Sequence, residues 1–355
     1  MNKNLLTKFF VLIIISLPIF LVYLYFTVGV SELASIFEKL DLRSFLLYNT
    51  AALIMILLST LFYSMSWNKI IESIGIKIGL KKAFLYSWSG IFVDLITPFE
   101  TVSGEILRIY LAQRETGEQL GKIVASVVAH RIIVTFMSLG GLTASSILLT
   151  IKYNVNLNIL YTLLAIILCL AALLTLLFLA SLKRGALERI INPILNFTAS
   201  ILKGRINLLE TRNRVYINLE YFYSNFRHFS SQRRALMWAV FYGFLAWFLH
   251  LSVFFLSFYA INFLEITAKT SEIIIIHSIV MTLQVSPISL APGLIEIVMT
   301  NLCSTLGFSI AISGVVTLLI RIATFWFPII FGGIVSQWIG VKNMFTQANK
   351  NTLTC

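Results

Sequence analysis

Residues 97–105 of the chain read TPFETVSGE, and residues 286–296 read SPISLAPGLIE. Both stretches place proline and glycine, which interrupt helices, inside apolar surroundings. In each copy a glycine follows the first proline after 6 residues, and an arginine follows it after 33 residues in one copy and 34 in the other. The matching positions are Pro98 and Pro287, Gly104 and Gly293, Glu105 and Glu296, and Arg131 and Arg321. This spacing predicts an internal duplication with a helix break in each copy, the way in which many transporters build a site at mid-membrane.

The composition is typical of a membrane protein. Of the 355 residues, 58% are hydrophobic and only 12% are charged, so the chain is far more apolar than a soluble domain of this size. Its three cysteines are widely separated and its four histidines form no ligand set, so we expect no metal and no cofactor. Because helices satisfy their own backbone groups in lipid, the composition predicts an all-α, polytopic integral membrane protein.

Six apolar runs are long enough to cross a bilayer, which takes ~20 mainly apolar residues in a helix. They lie near residues 9–28, 44–67, 122–149, 157–181, 236–261 and 310–338. The first run follows Lys3 and Lys8, as in a signal peptide. Its length and the lack of a clean small-residue cleavage site favour a retained helix.

Two further apolar stretches, residues 83–97 and 273–286, are too short to span a bilayer. Each ends at a proline and is followed by a second short helical run, at residues 102–113 and 292–306. Non-helical backbone at membrane depth is tolerated only where protein or water surrounds it, so this pattern predicts two re-entrant helical hairpins. The alternative is a pair of ordinary kinked spans.

Basic residues predict the orientation. A linker at about residues 182–235 carries ten Lys and Arg against three Glu, so the positive-inside rule assigns it to the cytoplasm. Its alternating apolar and basic residues predict helices lying on the anionic inner leaflet, although the positive-inside bias alone also explains the charge. The net charge of +12 therefore requires no nucleic-acid partner.

Threading the spans outward from this linker predicts an inverted repeat. The first hairpin then enters from the cytoplasm and the second from outside, and both termini are cytoplasmic. We expect one transmembrane domain in the cell membrane at residues 1–340, with a short cytoplasmic tail at residues 341–355. The two halves of the repeat are expected at about residues 44–149 and 236–338.

The residues at both breaks carry a family resemblance. The first signature is the segment from Pro98 to Leu111, with Gly104, Glu105 and Arg108 in it and Ala129-His130-Arg131 after it. The second is Ala291-Pro292-Gly293 with Glu296, followed by Arg321 and Gly332-Gly333. Over roughly residues 40–340 the chain resembles the lysylphosphatidylglycerol synthase transmembrane-region family, also described as flippase-like. The resemblance implies a stand-alone membrane domain of a type associated with moving aminoacylated phospholipids or polyprenyl-linked glycolipids between leaflets.

Arginines inside predicted spans indicate a polar cavity. A cation at the bilayer centre costs ~2.5–3.5 kcal/mol, so Arg131 and Arg321 must face a partner or a wet cavity. The guanidinium fork fits a phosphate, but these arginines could instead pair structurally with Glu105 and Glu296. His130 could take up a proton or simply serve in packing. The candidate substrate-binding residues are Asp94, Glu100, Gly104, Glu105, Arg108, His130, Arg131, Pro292, Gly293, Glu296 and Arg321.

These features favour a translocase, or flippase, that moves an anionic or polyprenyl-phosphate lipid between leaflets. An accessory membrane subunit of an envelope lipid or glycan pathway, working with a separate synthase or glycosyltransferase, is a second hypothesis. A membrane-embedded transferase that uses carboxylates such as Asp94 and Glu100 is the third. We assign no catalytic residue, because the sequence has no nucleophile motif and no phosphate-binding loop.

Overall fold

The computed structural model describes residue 18 and residues 20–38, 40–97, 102–152, 157–183, 185–201, 208–285 and 293–340. These residues form helices joined by short turns, and none of them lies in a strand. Residues 20–27 form helix α1. The other helices are α2 Val30–Glu38, α3 Leu42–Ser73, α4 Leu80–Leu95, α5 Val102–Thr116, α6 Leu120–Lys152, α7 Leu157–Leu182, α8 Ala186–Ile201, α9 Leu208–His228, α10 Arg233–Ala260, α11 Thr270–Val285, α12 Leu294–Thr305, α13 Ile310–Arg321 and α14 Phe327–Trp338. The all-α prediction is confirmed.

In the described part of the chain, six helical segments are long and apolar enough to cross a membrane. They are Leu42–Ser73, Leu120–Lys152, Leu160–Leu182, Arg233–Ala260, Leu264–Leu283 and Ile310–Trp338. Five of them match predicted spans. Half of the predicted span at residues 9–28 lies outside the described residues. The protein is a multi-pass integral membrane protein.

The sixth segment, Leu264–Leu283, differs from the prediction. Its apolar part, α11, was expected to be only a short arm of the second hairpin. A 3₁₀ turn at Leu264–Lys269 precedes α11 without a break and brings the segment to 20 residues. Charged Glu265 and Lys269 make this turn look like a loop in the sequence, although it continues the helix. By length, the segment Leu264–Leu283 is therefore a candidate span, and its α11 part is also a predicted hairpin arm.

Helices α3 and α10 form the largest helix–helix interface among the described elements. Ser59 Oγ donates to the Ala246 carbonyl oxygen at 2.8 Å, and Ser66 Oγ donates to the Ala239 carbonyl oxygen at 2.7 Å. Residue numbers rise along α3 as they fall along α10, so the two helices are antiparallel. Small and hydroxyl side chains allow this close approach within a membrane.

The N-terminus of α3 is capped by Asp41, which accepts hydrogen bonds from the backbone N–H groups of Arg43 and Ser44. Ser44 Oγ donates to the same carboxylate at 2.6 Å. These hydrogen bonds, led by that of the Ser44 hydroxyl, stabilise the charged form and lower the pKa of Asp41. The cap fixes where α3 begins.

Each predicted hairpin is a pair of packed helices closed at its base. Lys82, near the start of α4, forms an ion pair with Glu115 at the end of α5. Lys269, just before α11, donates to the Gly307 carbonyl oxygen beyond α12 at 2.6 Å. The first hairpin follows α3 and the second follows α10, so the bases lie at opposite ends of this antiparallel pair. An inverted repeat requires this arrangement, but the repeat and the re-entry themselves stay predictions.

The two halves are interlocked. Helix α4 packs on α14, and α11 packs on α6. A Cβ on Gly332 of α14 would lie 2.9 Å from the Trp88 carbonyl oxygen of α4, and one on Gly141 of α6 would lie 2.4 Å from the Trp247 ring. Gly141 and Gly332 therefore allow close packing between the halves, whereas a Cβ on Gly140 would meet nothing within 4 Å.

The basic linker contains α8 and α9, and α9 packs against the bundle. The Gly121 N–H of α6 donates to Asn218 Oδ1 of α9 at 3.0 Å. Phe222, Tyr223 and Phe226 of α9 are buried in the same core as residues of α6. These three side chains fill the space beside α6, and contact of the linker helices with the inner leaflet stays a prediction.

Candidate functional site

The first ion pair lies on α5, directly after the first break. Arg108, only 2% exposed, donates from Nη1 to Glu105 Oε2 at 2.7 Å and to the Tyr63 hydroxyl at 2.9 Å. Its guanidinium carbon lies 4.1 Å from the centre of the Trp67 ring on α3. A carboxylate and two aromatic faces thus surround a cation that lipid alone would not tolerate.

Asp94 and Gly104 join the two helices of this hairpin. The Gly104 N–H, in the first turn of α5, donates to Asp94 Oδ1 at 2.7 Å. A carboxylate near a helix N-terminus satisfies a free N–H and interacts favourably with the helix dipole. A Cβ on Gly104 would lie 2.3 Å from the Gly90 carbonyl oxygen, so only glycine permits this contact.

The second ion pair lies directly after the second break. Arg321 Nε, at the end of α13, donates to Glu296 Oε1 in the first turn of α12 at 2.7 Å. The other oxygen, Glu296 Oε2, accepts the Gly293 N–H at 2.7 Å. Gly293 has a φ of 97°, which favours glycine. Both charged side chains are buried, and their bond joins two helices.

A turn of π-helix, Ile322–Trp326, begins immediately after Arg321. Such turns are rare and occur frequently at functional sites. In this one, the ring of Phe325 lies 4.2 Å from the Arg321 guanidinium carbon. Phe325 also packs with Leu95 of α4 in one buried cluster.

That cluster connects the two ion pairs. Leu95 is the neighbour of Asp94, which binds the N-terminus of α5, and Phe325 covers the guanidinium of Arg321. We call this contact between the end of α4 and the π turn the seam. Asp94 links the end of α4 to the first turn of α5, which holds Glu105, and Arg321 lies directly before the π turn. The seam therefore joins the first hairpin to the helix that carries the second ion pair.

Both buried arginines keep N–H groups without a partner among the described residues. These are Nε of Arg108 and Nη1 of Arg321. A buried donor left unpaired costs about 1–3 kcal/mol, more when charged. A buried N–H of this kind is normally satisfied by a hydrogen-bond acceptor, which in a binding protein is a ligand or water. The chemistry that these donors favour is an anion with several oxygens.

The remaining predicted site residues differ in burial and in partners. His130 is fully buried, with Nδ1 3.5 Å from Arg108 Nη2 and its ring 4.5 Å from that of Tyr63. Arg131, its neighbour, is half-buried and has no ion pair with any described residue. Glu105 pairs with Arg108 instead. Glu100 and Pro292, also predicted, lie outside the described residues.

Aromatic residues are the part of the site that the sequence analysis missed. Tyr63 and Trp67 lie four residues apart on α3, so they share one helix face and hold the Arg108 guanidinium together. Phe325 stands four residues after Arg321. The available signal was weak, because aromatic residues are frequent throughout the chain.

No group of three His, Cys, Asp or Glu side chains among the described residues has the geometry of a metal site. The charged groups of the site instead pair with one another. They are guanidinium and carboxylate groups.

Comparison with known proteins gives the family. The family model described as the lysylphosphatidylglycerol synthase TM region matches residues 13–332, nearly the whole chain. The chain belongs to this family. The resemblance at the two breaks is thus confirmed, and both ion pairs of this family member lie within the matched region.

Curated relatives are membrane proteins of archaea. A UPF0104 membrane protein of Pyrococcus horikoshii is 27% identical over 338 residues, covering 92% of this chain and 96% of the relative. One of Methanocaldococcus jannaschii is 24% identical, covering 94% and 95%. One of Methanothermobacter thermautotrophicus is 22% identical, covering 84% and 86%. No solved structure matches the chain significantly.

Proposed function

We propose that the protein is a lipid translocase that moves a lipid with a phosphate-bearing headgroup, an anionic phospholipid or a polyprenyl phosphate, between leaflets. The observation that carries the proposal is the two buried arginines, Arg108 and Arg321, each with an N–H that has no partner among the described residues. One comes from each half of the chain, and each adjoins a helix break.

The arginines favour phosphate as the ligand. A guanidinium presents several N–H donors in a plane and matches the oxygens of a phosphate in a bidentate way. Glu105 and Glu296 neutralise Arg108 and Arg321 in the resting protein. A bound phosphate would accept hydrogen bonds from the N–H groups that the ion pairs leave open, so neither ion pair has to break.

The arrangement of the hairpins favours movement over simple binding. Their bases lie at opposite ends of the antiparallel α3–α10 pair, and the first turns of α5 and α12, which follow the breaks, each hold a carboxylate paired with an arginine. Two breaks approached from opposite ends supply two gates to one site, as alternating access requires. We assign the protein to the cell membrane, with the basic linker and both termini in the cytoplasm.

The test of substrate class is the lipid that the protein retains on purification in mild detergent. Mass spectrometry of the bound fraction should find a lipid with a phosphate-bearing headgroup. Arg108→Lys and Arg321→Lys should retain about tenfold less of it, because a lost hydrogen bond to a charged group is worth ~1.5–3 kcal/mol. The exposed Arg233→Lys serves as the matched control.

The same experiment separates the alternative functions. If the purified protein, given donor substrates, converts the lipid to a new covalent product, the result favours the membrane transferase. A co-purifying synthase or glycosyltransferase, with equal lipid content in all variants, favours the accessory subunit. Equal lipid content without such a partner contradicts the proposed role of the arginines.

A further inference from the structure

Two histidines form a buried pair away from the arginines. His250 Nδ1 on α10 lies 3.1 Å from His277 Nε2 on α11, so one ring donates a hydrogen bond to the other. The His277 side chain is fully buried. Its ring stands edge-on to Trp247 and Phe254, with centroids 5.4 Å and 5.1 Å away. Neither histidine belongs to the arginine site.

Buried polar atoms without partners surround this pair in the described structure. They are His277 Nδ1, Ser278 Oγ and Trp247 Nε1. The backbone of α6 closes the region, because a Cβ on Gly141 would lie 3.1 Å from Ser278 Oγ. If His277 Nε2–H donates to His250, then His277 Nδ1 carries an unused lone pair. A buried acceptor of this kind is a place where a proton can bind.

The charged groups on the neighbouring helices pair with residues other than the two histidines. Glu272, on α11, is held by Lys152 of α6 and by Ser271. Glu296 of α12 and Arg321 of α13 bind each other. On α10, the titratable neighbour of His277 among the described residues is His250, which shares a hydrogen bond with it. A cation formed on His277 therefore gains no counter-charge.

The two halves of the chain differ at the position of His277. His277 stands ten residues before Pro287, and Trp88 stands ten residues before Pro98. Trp88 packs against Phe331 of α14 and cannot titrate. Only the second hairpin therefore carries a proton acceptor at this position.

We propose that the His250–His277 pair is a proton-binding site that controls the contact between α10 and α11. A proton from the aqueous phase binds His277 Nδ1, while Nε2–H keeps its hydrogen bond to His250. The resulting buried imidazolium weakens the packing of the second hairpin, and release of the same proton restores it. This role goes beyond lipid binding and can be tested without any lipid substrate.

The tryptophan beside His277 reports the protonation state. An imidazolium quenches the fluorescence of an adjacent indole, so fluorescence of the purified protein should fall as the pH is lowered from about 8 to about 4. The difference between wild type and Trp247→Phe isolates the signal of Trp247. His277→Gln and His250→Gln should each remove this acid transition. His228→Gln, at an exposed histidine on α9, should keep it.

The result that overturns the proposal is an unchanged Trp247 titration in both His277→Gln and His250→Gln. A wild-type protein with no Trp247 transition over this pH range also overturns it, because the pair then stays neutral and serves only in packing. If one variant does not fold, the other decides. Thermal unfolding at two pH values gives a second readout: acid should destabilise the wild type more than His277→Gln.

Discussion

Arg108 and Arg321 are both buried beside a carboxylate, but they hold the fold differently. Arg108 and Glu105 are three residues apart on one helix, so their bond shapes α5 and its contacts with α3. Arg321 and Glu296 join α13 to α12. The second bond therefore has the greater structural consequence, because its loss frees two helices from each other.

Arg321→Gln should destabilise the protein strongly. It leaves the Glu296 carboxylate buried without its counter-charge, a change that costs about 3–5 kcal/mol when a buried pair loses one member. The double variant Arg321→Gln/Glu296→Gln should recover much of this loss, because neither residue is then charged. Thermal unfolding in detergent measures both. A single variant as stable as the wild type contradicts the structural role of the pair.

Adjacent glycines on α6 provide a matched comparison of packing. Gly141→Ala introduces a Cβ 2.4 Å from the Trp247 ring, so it should destabilise the protein by about 1–3 kcal/mol. Gly140→Ala meets nothing within 4 Å and should be neutral or slightly stabilising, because alanine favours helix. Equal unfolding temperatures of the two variants would show that α6 does not pack this closely on α10 and α11.

The sequence predicts one of the two ion pairs. Glu296 with Arg321 was the structural alternative from spacing, and the pair forms. Arg131 was expected to match it in the first half, yet Arg108 takes that place. Neighbours on a helix point about 100° apart, so spacing cannot tell whether His130 or Arg131 faces the core. Which one does depends on the rotation of α6, which its tertiary contacts fix.

At the scale of elements, the long apolar helices were predictable and their ends were not. The spans predicted at 44–67 and 236–261 appear as Leu42–Ser73 and Arg233–Ala260. Hydropathy identifies the apolar centre, whereas charged residues at the ends extend helices into the interface. The antiparallel pairing of α3 with α10 could not be read from the spans themselves, because it depends on contacts between distant residues.

Opposed hairpins make a prediction about access. Gln119 follows the first hairpin and Thr267 precedes the second, and both residues are exposed. In a background without native cysteines, a single cysteine at position 119 should react with a membrane-impermeant thiol reagent only from the cytoplasmic side. One at position 267 should react only from outside. Labelling of both from the same side of intact cells would contradict the opposed arrangement.

At the scale of the molecule, each half of the chain packs a long helix against the hairpin of the other half. The first half supplies α6 to pack on α11, and the second supplies α14 to pack on α4. Movement of either hairpin is therefore coupled to a long helix of the other half. The paired motifs predicted a duplication but not this exchange, since the glycines that allow it, Gly141 and Gly332, contact residues far away in sequence.

Lipid movement in proteoliposomes tests the central claim most directly. A labelled lipid with a phosphate-bearing headgroup should become accessible to an impermeant quencher faster with the wild-type protein than in empty liposomes, and it should be recovered chemically unchanged. Arg108→Lys and Arg321→Lys should slow this movement by about tenfold, because each loses guanidinium hydrogen bonds to the phosphate. Arg233→Lys should move the lipid at the wild-type rate. Equal rates in empty and wild-type liposomes across anionic phospholipids and polyprenyl phosphates, or equal rates for all four proteins, would contradict the account.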